Sequence, residues 1–165
     1  MLATIRHPAT DPDPDAPTLV IAHGLYGSGR NWGVIARRLA DRRDVVAVDM
    51  RNHGDSPRHD SHSYADMAAD LEQVILAIGA PVDLLGHSMG GKAAMQLALT
   101  RPDLIRRLVV ADIAPVPYDH DQTRHARAMA AVDLSRVTTR AEADAALSAG
   151  VDDPALRAFF LQSLD

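Results

Sequence analysis

The feature that most restricts this chain is five residues long. Gly86-His87-Ser88-Met89-Gly90 has the pattern Gly-x-Ser-x-Gly, and it stands between an apolar run, Val82 to Leu85, and an Ala/Leu-rich stretch, Gly91 to Thr100. The run has the length of a buried strand, and the stretch has the length and composition of a helix. A serine at such a junction occupies a very tight strand-to-helix turn, with its hydroxyl projecting from the sheet edge. Glycines two before and two after it remove Cβ atoms that would collide with the neighbouring strand and helix. The positive end of the helix favours an oxyanion beside Ser88. Neither Gly-x-Gly-x-x-Gly nor a Gly-x-x-x-x-Gly-Lys-Ser/Thr loop occurs, so the turn is not read as a dinucleotide or phosphate cradle.

The rest of the chain supplies more strands and helices of the same kind. Asp11 to Pro17 is a Pro/Asp turn, and Thr18 to Ala22 is a short buried strand. Trp32, Ile35, Ala36 and Leu39 fall at i, i+3, i+4 and i+7, which predicts one buried face of a helix from about Asn31 to Asp41. Asp44 to Asp49 is a second strand, and Met50 to His62 is a polar loop. Ser63 caps a helix whose buried face is expected at Tyr64, Met67, Leu71, Val74, Ile75 and Ile78, and Gly79-Ala80-Pro81 ends it. Arg107 to Ala111 completes a set of strands separated by helices, the pattern of βαβ units and a parallel sheet. The predicted class is α/β, a parallel-rich sheet flanked by helices, occupying residues 1–118. Residues 119–165 are helical, with a capping box at Thr139 to Glu142 and an N-cap before proline at Asp153-Pro154. They read as the start of a helical lid.

A second loop belongs with the serine. His23-Gly24-Leu25-Tyr26-Gly27 follows the first of these strands. Acyl transfer passes through a tetrahedral oxyanion that needs two preorganised N–H donors. The backbone N–H of Met89, the residue after the serine, is one, and Leu25 is expected to provide the other. His23, Gly24, Gly86, His87 and Gly90 support this elbow and loop.

Composition narrows the chemistry. The net charge is −5, which argues against nucleic acid as a partner. There is no cysteine, so disulfides, zinc–thiolate sites and a cysteine nucleophile are excluded. No apolar stretch approaches the ~18 residues of a membrane span, and the first residues carry no apolar run of signal-peptide type. A cytoplasmic protein without membrane contact is expected. His53, His59 and His62 match no recognised ligand pattern, so no metal and no cofactor are expected.

Four motifs in order, HGLYGSGRNW, VDMRNHGDSP, LLGHSMGGKAAM and VVADIAPVPY, resemble the YbfF-like esterases of the α/β-hydrolase superfamily. The likeness runs from about Leu19 to Tyr118 and more loosely to the end. It implies a Ser-Asp-His triad cleaving small carboxylic esters or acyl thioesters, with Ser88 as nucleophile and Asp112, just after the strand that follows the elbow, as the acid. Asp49, Arg51, Asn52, His53 and Ser56 match a loop found widely in that superfamily and read as buried polar supports. Other Ser-triad members, such as perhydrolases or C–C bond hydrolases, share the same two loops. A non-catalytic binding protein that keeps the fold without the triad is the reading of a different class.

The chain departs from the resemblance in its histidine. The expected order is serine, acid, histidine, and after Asp112 only His120 and His125 remain, both ahead of the lid helices. Leu156, Phe159, Phe160 and Leu164 read as a final helix face that ends without a cap. The expectation is of a chain lacking the C-terminal strands and helices, and inactive or nearly so by itself. The 107–111 strand is then an open apolar edge. Acyl specificity and oligomeric state are not readable from the sequence.

Overall fold

The computed structural model describes residues 1–119 and 122–164. The chain divides into two compact units, Met1–Pro115 and Val116–Asp165; the division falls three residues before the boundary read from the sequence.

The first unit is a five-stranded sheet with helices on both faces. Its strands are β1 (Thr4–His7), β2 (Leu19–Ala22), β3 (Val45–Val48), β4 (Val82–His87) and β5 (Ile105–Ala111), in the spatial order β1-β3-β2-β4-β5. The helices are α1 (Gly33–Leu39), α2 (Tyr64–Ile78) and α3 (Met89–Thr100). β2, β3, β4 and β5 run parallel, and β1 pairs antiparallel with β3. The sheet is therefore mixed, not wholly parallel. β1 is not among the strands expected from sequence, because Thr-Ile-Arg-His is short, half-exposed and carries little apolar signal.

Central strands feed both faces because successive side chains point to opposite sides. Val20, Ala22, Val48 and Leu84 pack with Met67, Leu71, Val74 and Ile75 of α2 and with Ala93, Ala94 and Leu97 of α3. Leu19, Ile21, Val45 and Ala47 pack with Ala36 and Ala40 on the other face. The helix face read as Trp32, Ile35, Ala36 and Leu39 is corrected here. Ile35 and Leu39 are exposed, and the buried line is Ala36 and Ala40, with Trp32 partly buried against it. The helix is shorter than expected, preceded by a 3-10 turn (Gly29–Trp32), and it meets the sheet through small residues. Tyr64 is likewise exposed, since it is the first residue of α2 and lies outside the packed turns. α2 starts as expected, with Ser63 accepting from the Asp66 N–H at 3.1 Å.

β5 lies at one edge of the sheet, and Leu108 and Val109 are exposed on it.

The second unit holds α4 (Thr123–Ala130), α5 (Arg140–Leu147) and α6 (Pro154–Phe160). Thr139 caps α5 by accepting from Glu142 N–H, and Asp153 caps α6 by accepting from Ala155 N–H. Leu164 stands beyond α6 and a short 3-10 turn (Leu161–Ser163), so it is not part of that helix face. Among the described residues no helix is long and apolar enough to cross a membrane.

Candidate active site

Ser88 is the hinge between β4 and α3. Its backbone stands at φ 49°, ψ −114°, a conformation that costs a non-glycine residue of order 1–3 kcal/mol. The surrounding atoms hold it there. Ser88 N–H donates to Ala111 C=O at 3.0 Å, and Lys92 N–H donates to Ser88 C=O at 3.1 Å. The two flanking glycines are sterically required. A Cβ on Gly86 would stand 2.5 Å from Gly90 O, and one on Gly90 would stand 2.6 Å from His23 O. Helix α3 begins at Met89, so the Met89 N–H stands at its N-terminus next to the serine.

The 23–27 loop passes over this elbow. Gly90 N–H donates to His23 C=O at 3.2 Å, and a Cβ on Gly24 would stand 3.2 Å from Ser88 Cβ. Leu25 and Tyr26 form a turn closed by Gly27 N–H donating to Gly24 C=O at 3.1 Å, with Tyr26 at φ 63°. Among the described residues neither the Leu25 N–H nor the Met89 N–H donates a hydrogen bond. The structure thus leaves both expected oxyanion donors uncommitted, on the two segments that meet at Ser88.

His23 is fully buried and its role is structural. Nε2 accepts from Met50 N–H at 2.9 Å, which puts the ring proton on Nδ1, where it is donated to Gly24 C=O at 2.7 Å. Burial, the largest influence, pushes this imidazole down to about 4. His53 is held the same way: Nδ1–H donates to Arg51 C=O at 2.9 Å, and Nε2 accepts from Tyr26 N–H at 3.1 Å. The motif read from sequence as a loop support thus reaches the 23–27 turn itself. The direct bond from His53 to Tyr26 is not deducible from spacing, because it joins residues 27 apart.

The remaining motif residues tie this loop down. Asp49 is buried, accepting from Gly29 N–H at 2.7 Å and from Asp55 N–H at 2.9 Å. Ser56 Oγ donates to Asp49 C=O and accepts from Ala3 N–H at 2.8 Å. Arg51 is buried against α2 and grips Asp70 through two hydrogen bonds, 2.6 and 3.0 Å. Asn52 Oδ1 accepts from His59 N–H at 2.7 Å. Among the described residues no cluster of three or more His, Asp or Glu could hold a metal ion.

Asp112 follows β5 directly, in a left-handed backbone conformation at φ 57° that Asp tolerates better than most residues. Its carboxylate is exposed and stands 3.6 Å from His87 Nε2, while the His87 ring tilts against Trp32 at 5.9 Å. The fold therefore brings Ser88, His87, Asp112 and the 23–27 turn to the C-terminal end of the parallel strands. Among the described residues the Ser88 hydroxyl makes no hydrogen bond, so no histidine is seated on it. His125 lies on α4, with its ring 5.5 Å from Phe160. His120 lies outside the described residues.

Comparison with known proteins follows the same lines. The chain is 43% identical over 164 residues to the sn-1-specific diacylglycerol lipase ABHD11 of Mus musculus, covering 93% of this chain and 53% of the relative. It is 40% identical over 151 residues to the esterase YbfF of Escherichia coli, covering 88% of this chain and 58% of the relative. A solved structure of a marine microorganism esterase superposes with a TM-score of 0.87 at 39% identity, over 98% of this chain and 62% of that one. The chain spans about half the length of the curated relatives it matches. The model of the alpha/beta hydrolase fold matches residues 17–165, and the chain belongs to that family.

Proposed function

We propose that this chain carries the nucleophile and the oxyanion donors of a serine hydrolase that cleaves carboxylic esters or acyl thioesters. The observation that carries the proposal is the strained Ser88 at the N-terminus of α3, with the 23–27 turn packed beside it at Gly24 and the N–H groups of Leu25 and Met89 uncommitted. In the reaction, Ser88 Oγ attacks the acyl carbonyl and its proton passes to a base. The carbonyl oxygen becomes an oxyanion held by the two N–H groups, and the alcohol or thiol departs to leave an acyl-serine that water then hydrolyses. The exposed Asp112 carboxylate, at the same end of the sheet, is the acid that would orient an imidazole base. Relatives named as esterases and lipases support this class.

One observation favours a non-catalytic reading: among the described residues no base contacts Ser88. Acyl trapping separates the two. The chain is incubated with p-nitrophenyl acetate or a short acyl thioester, quenched in acid and mapped by mass spectrometry. An acyl group on Ser88 of the native chain, absent from Ser88→Ala, is expected. A native chain that binds ester yet never carries acyl on Ser88 is a binding protein.

A further inference from the structure

The turn that carries Leu25 has two consecutive peptide planes, and each is held by a different imidazole. The Gly24–Leu25 plane is anchored through its carbonyl, which accepts from His23 Nδ1–H at 2.7 Å and from Gly27 N–H at 3.1 Å. In a trans peptide the N–H points opposite to the C=O, so this double anchor aims the Leu25 N–H away from His23. The Leu25–Tyr26 plane is anchored through its N–H, which donates to His53 Nε2 at 3.1 Å. Tyr26 sits at φ 63°. In such a turn the third residue is ordinarily glycine, and rotation of the central plane is the motion that removes the positive φ.

We propose that His53 is a positioning residue for the oxyanion turn: its unprotonated Nε2 locks the Leu25–Tyr26 plane, and a proton on that nitrogen unlocks it. The tautomer permits only this arrangement. Nδ1–H is already committed to Arg51 C=O at 2.9 Å, and an imidazolium has no acceptor left for the Tyr26 N–H. Protonated His53 would present a donor to a donor, and the plane rotates so that Leu25 C=O can take the new proton. With that plane released, the turn is held only through Gly24 C=O, and the Leu25 N–H loses the rigid support of the residue that follows it.

The surroundings of His53 keep it neutral under ordinary conditions. Burial acts most strongly against its proton, and the His62 ring at 5.7 Å and Arg58 act in the same sense. Asp49 acts in favour, as does the hydrogen bond to Arg51 C=O, while the His23 ring, met edge-on at 5.1 Å, is itself neutral. The turn is therefore locked at neutral pH and unlocks on acidification below the ordinary histidine value of 6.5. The catalytic consequence rests on the serine-hydrolase reading; the structural one rests on the hydrogen bonds alone.

The test uses the full 165-residue chain, labelled with nitrogen-15, as wild type, His53→Gln and His53→Ala. Glutamine offers an amide oxygen to the Tyr26 N–H and does not titrate. The Leu25 and Tyr26 amide resonances of the wild type are expected to move together with protonation of the His53 ring. In His53→Gln they keep their neutral-pH positions and lose that step. In His53→Ala they resemble the acid form even at neutral pH. Labelling of Ser88 by a fluorophosphonate at neutral pH falls at least ~tenfold in His53→Ala and is largely restored in His53→Gln, the order of effect of weakening one oxyanion donor. Amides that ignore the His53 titration, or a glutamine variant that behaves as the alanine one, overturn the proposal. Should His53→Ala not fold, the wild-type and glutamine pH series decide the matter. Should the wild type never label at Ser88, the hydrolase reading falls, while the amide shifts still decide whether the lock exists.

Discussion

Gly24 and Ser88 are in steric register: a Cβ on Gly24 would stand 3.2 Å from Ser88 Cβ and 2.9 Å from His87 Nδ1. The 23–27 turn and the elbow approach each other only because that methyl is missing. Gly24→Ala should therefore displace the turn from the serine and leave the sheet intact. We expect Ser88 labelling by a fluorophosphonate to fall roughly tenfold or more, with little change in thermal midpoint. Unchanged labelling would mean that the turn does not contribute to the site.

Gly90 differs because backbone, not side chain, occupies the space. A Cβ there would stand 2.6 Å from His23 O, at the end of β2. Neither the strand nor the helix can move without losing core contacts, so Gly90→Ala should destabilise the fold by about 2–3 kcal/mol. Urea denaturation measures it.

Acid should destabilise the first unit through its buried imidazoles. The folded state holds His23 down to about 4, and His53 is lowered in the same direction, against 6.5 in the unfolded chain. The unfolded state binds these protons first. The stabilisation is complete above pH 6.5 and is lost as the pH falls from 6.5 towards 4, by on the order of 3 kcal/mol for His23. His23→Gln should flatten the dependence of the urea midpoint on pH in that window.

Arg51 and Asp70 are both buried and joined by two hydrogen bonds, 2.6 and 3.0 Å. Removing one partner strands the other charge. Asp70→Ala should cost about 3 kcal/mol, while a paired hydrophobic replacement of both should cost much less. A double-mutant cycle in urea distinguishes the two.

The elbow was legible because Gly-x-Ser-x-Gly is a local demand: the steric need for Gly86 and Gly90 arises within one turn of chain. The α2 cap at Ser63 and the caps at Thr139 and Asp153 in the second unit are local in the same sense. β1 was not, because an edge strand owes its pairing to β3, some forty residues on, and carries little apolar pattern of its own. The α1 face was misplaced because periodicity counts large apolar residues, whereas the sheet is met by Ala36 and Ala40. Within the site, the motif loop could be read as a support, yet its target could not. That His53 reaches Tyr26 depends on how two loops pack.

Fluorophosphonate labelling of the native chain, mapped by mass spectrometry, tests the hydrolytic site most directly. We expect an adduct at Ser88 that forms faster than at other serines and disappears when the chain is unfolded first. An oxyanion site retains part of its rate effect even where the base is not engaged. A folded chain in which Ser88 reacts no faster than an exposed serine would contradict the claim that the elbow and the 23–27 turn form a hydrolytic site.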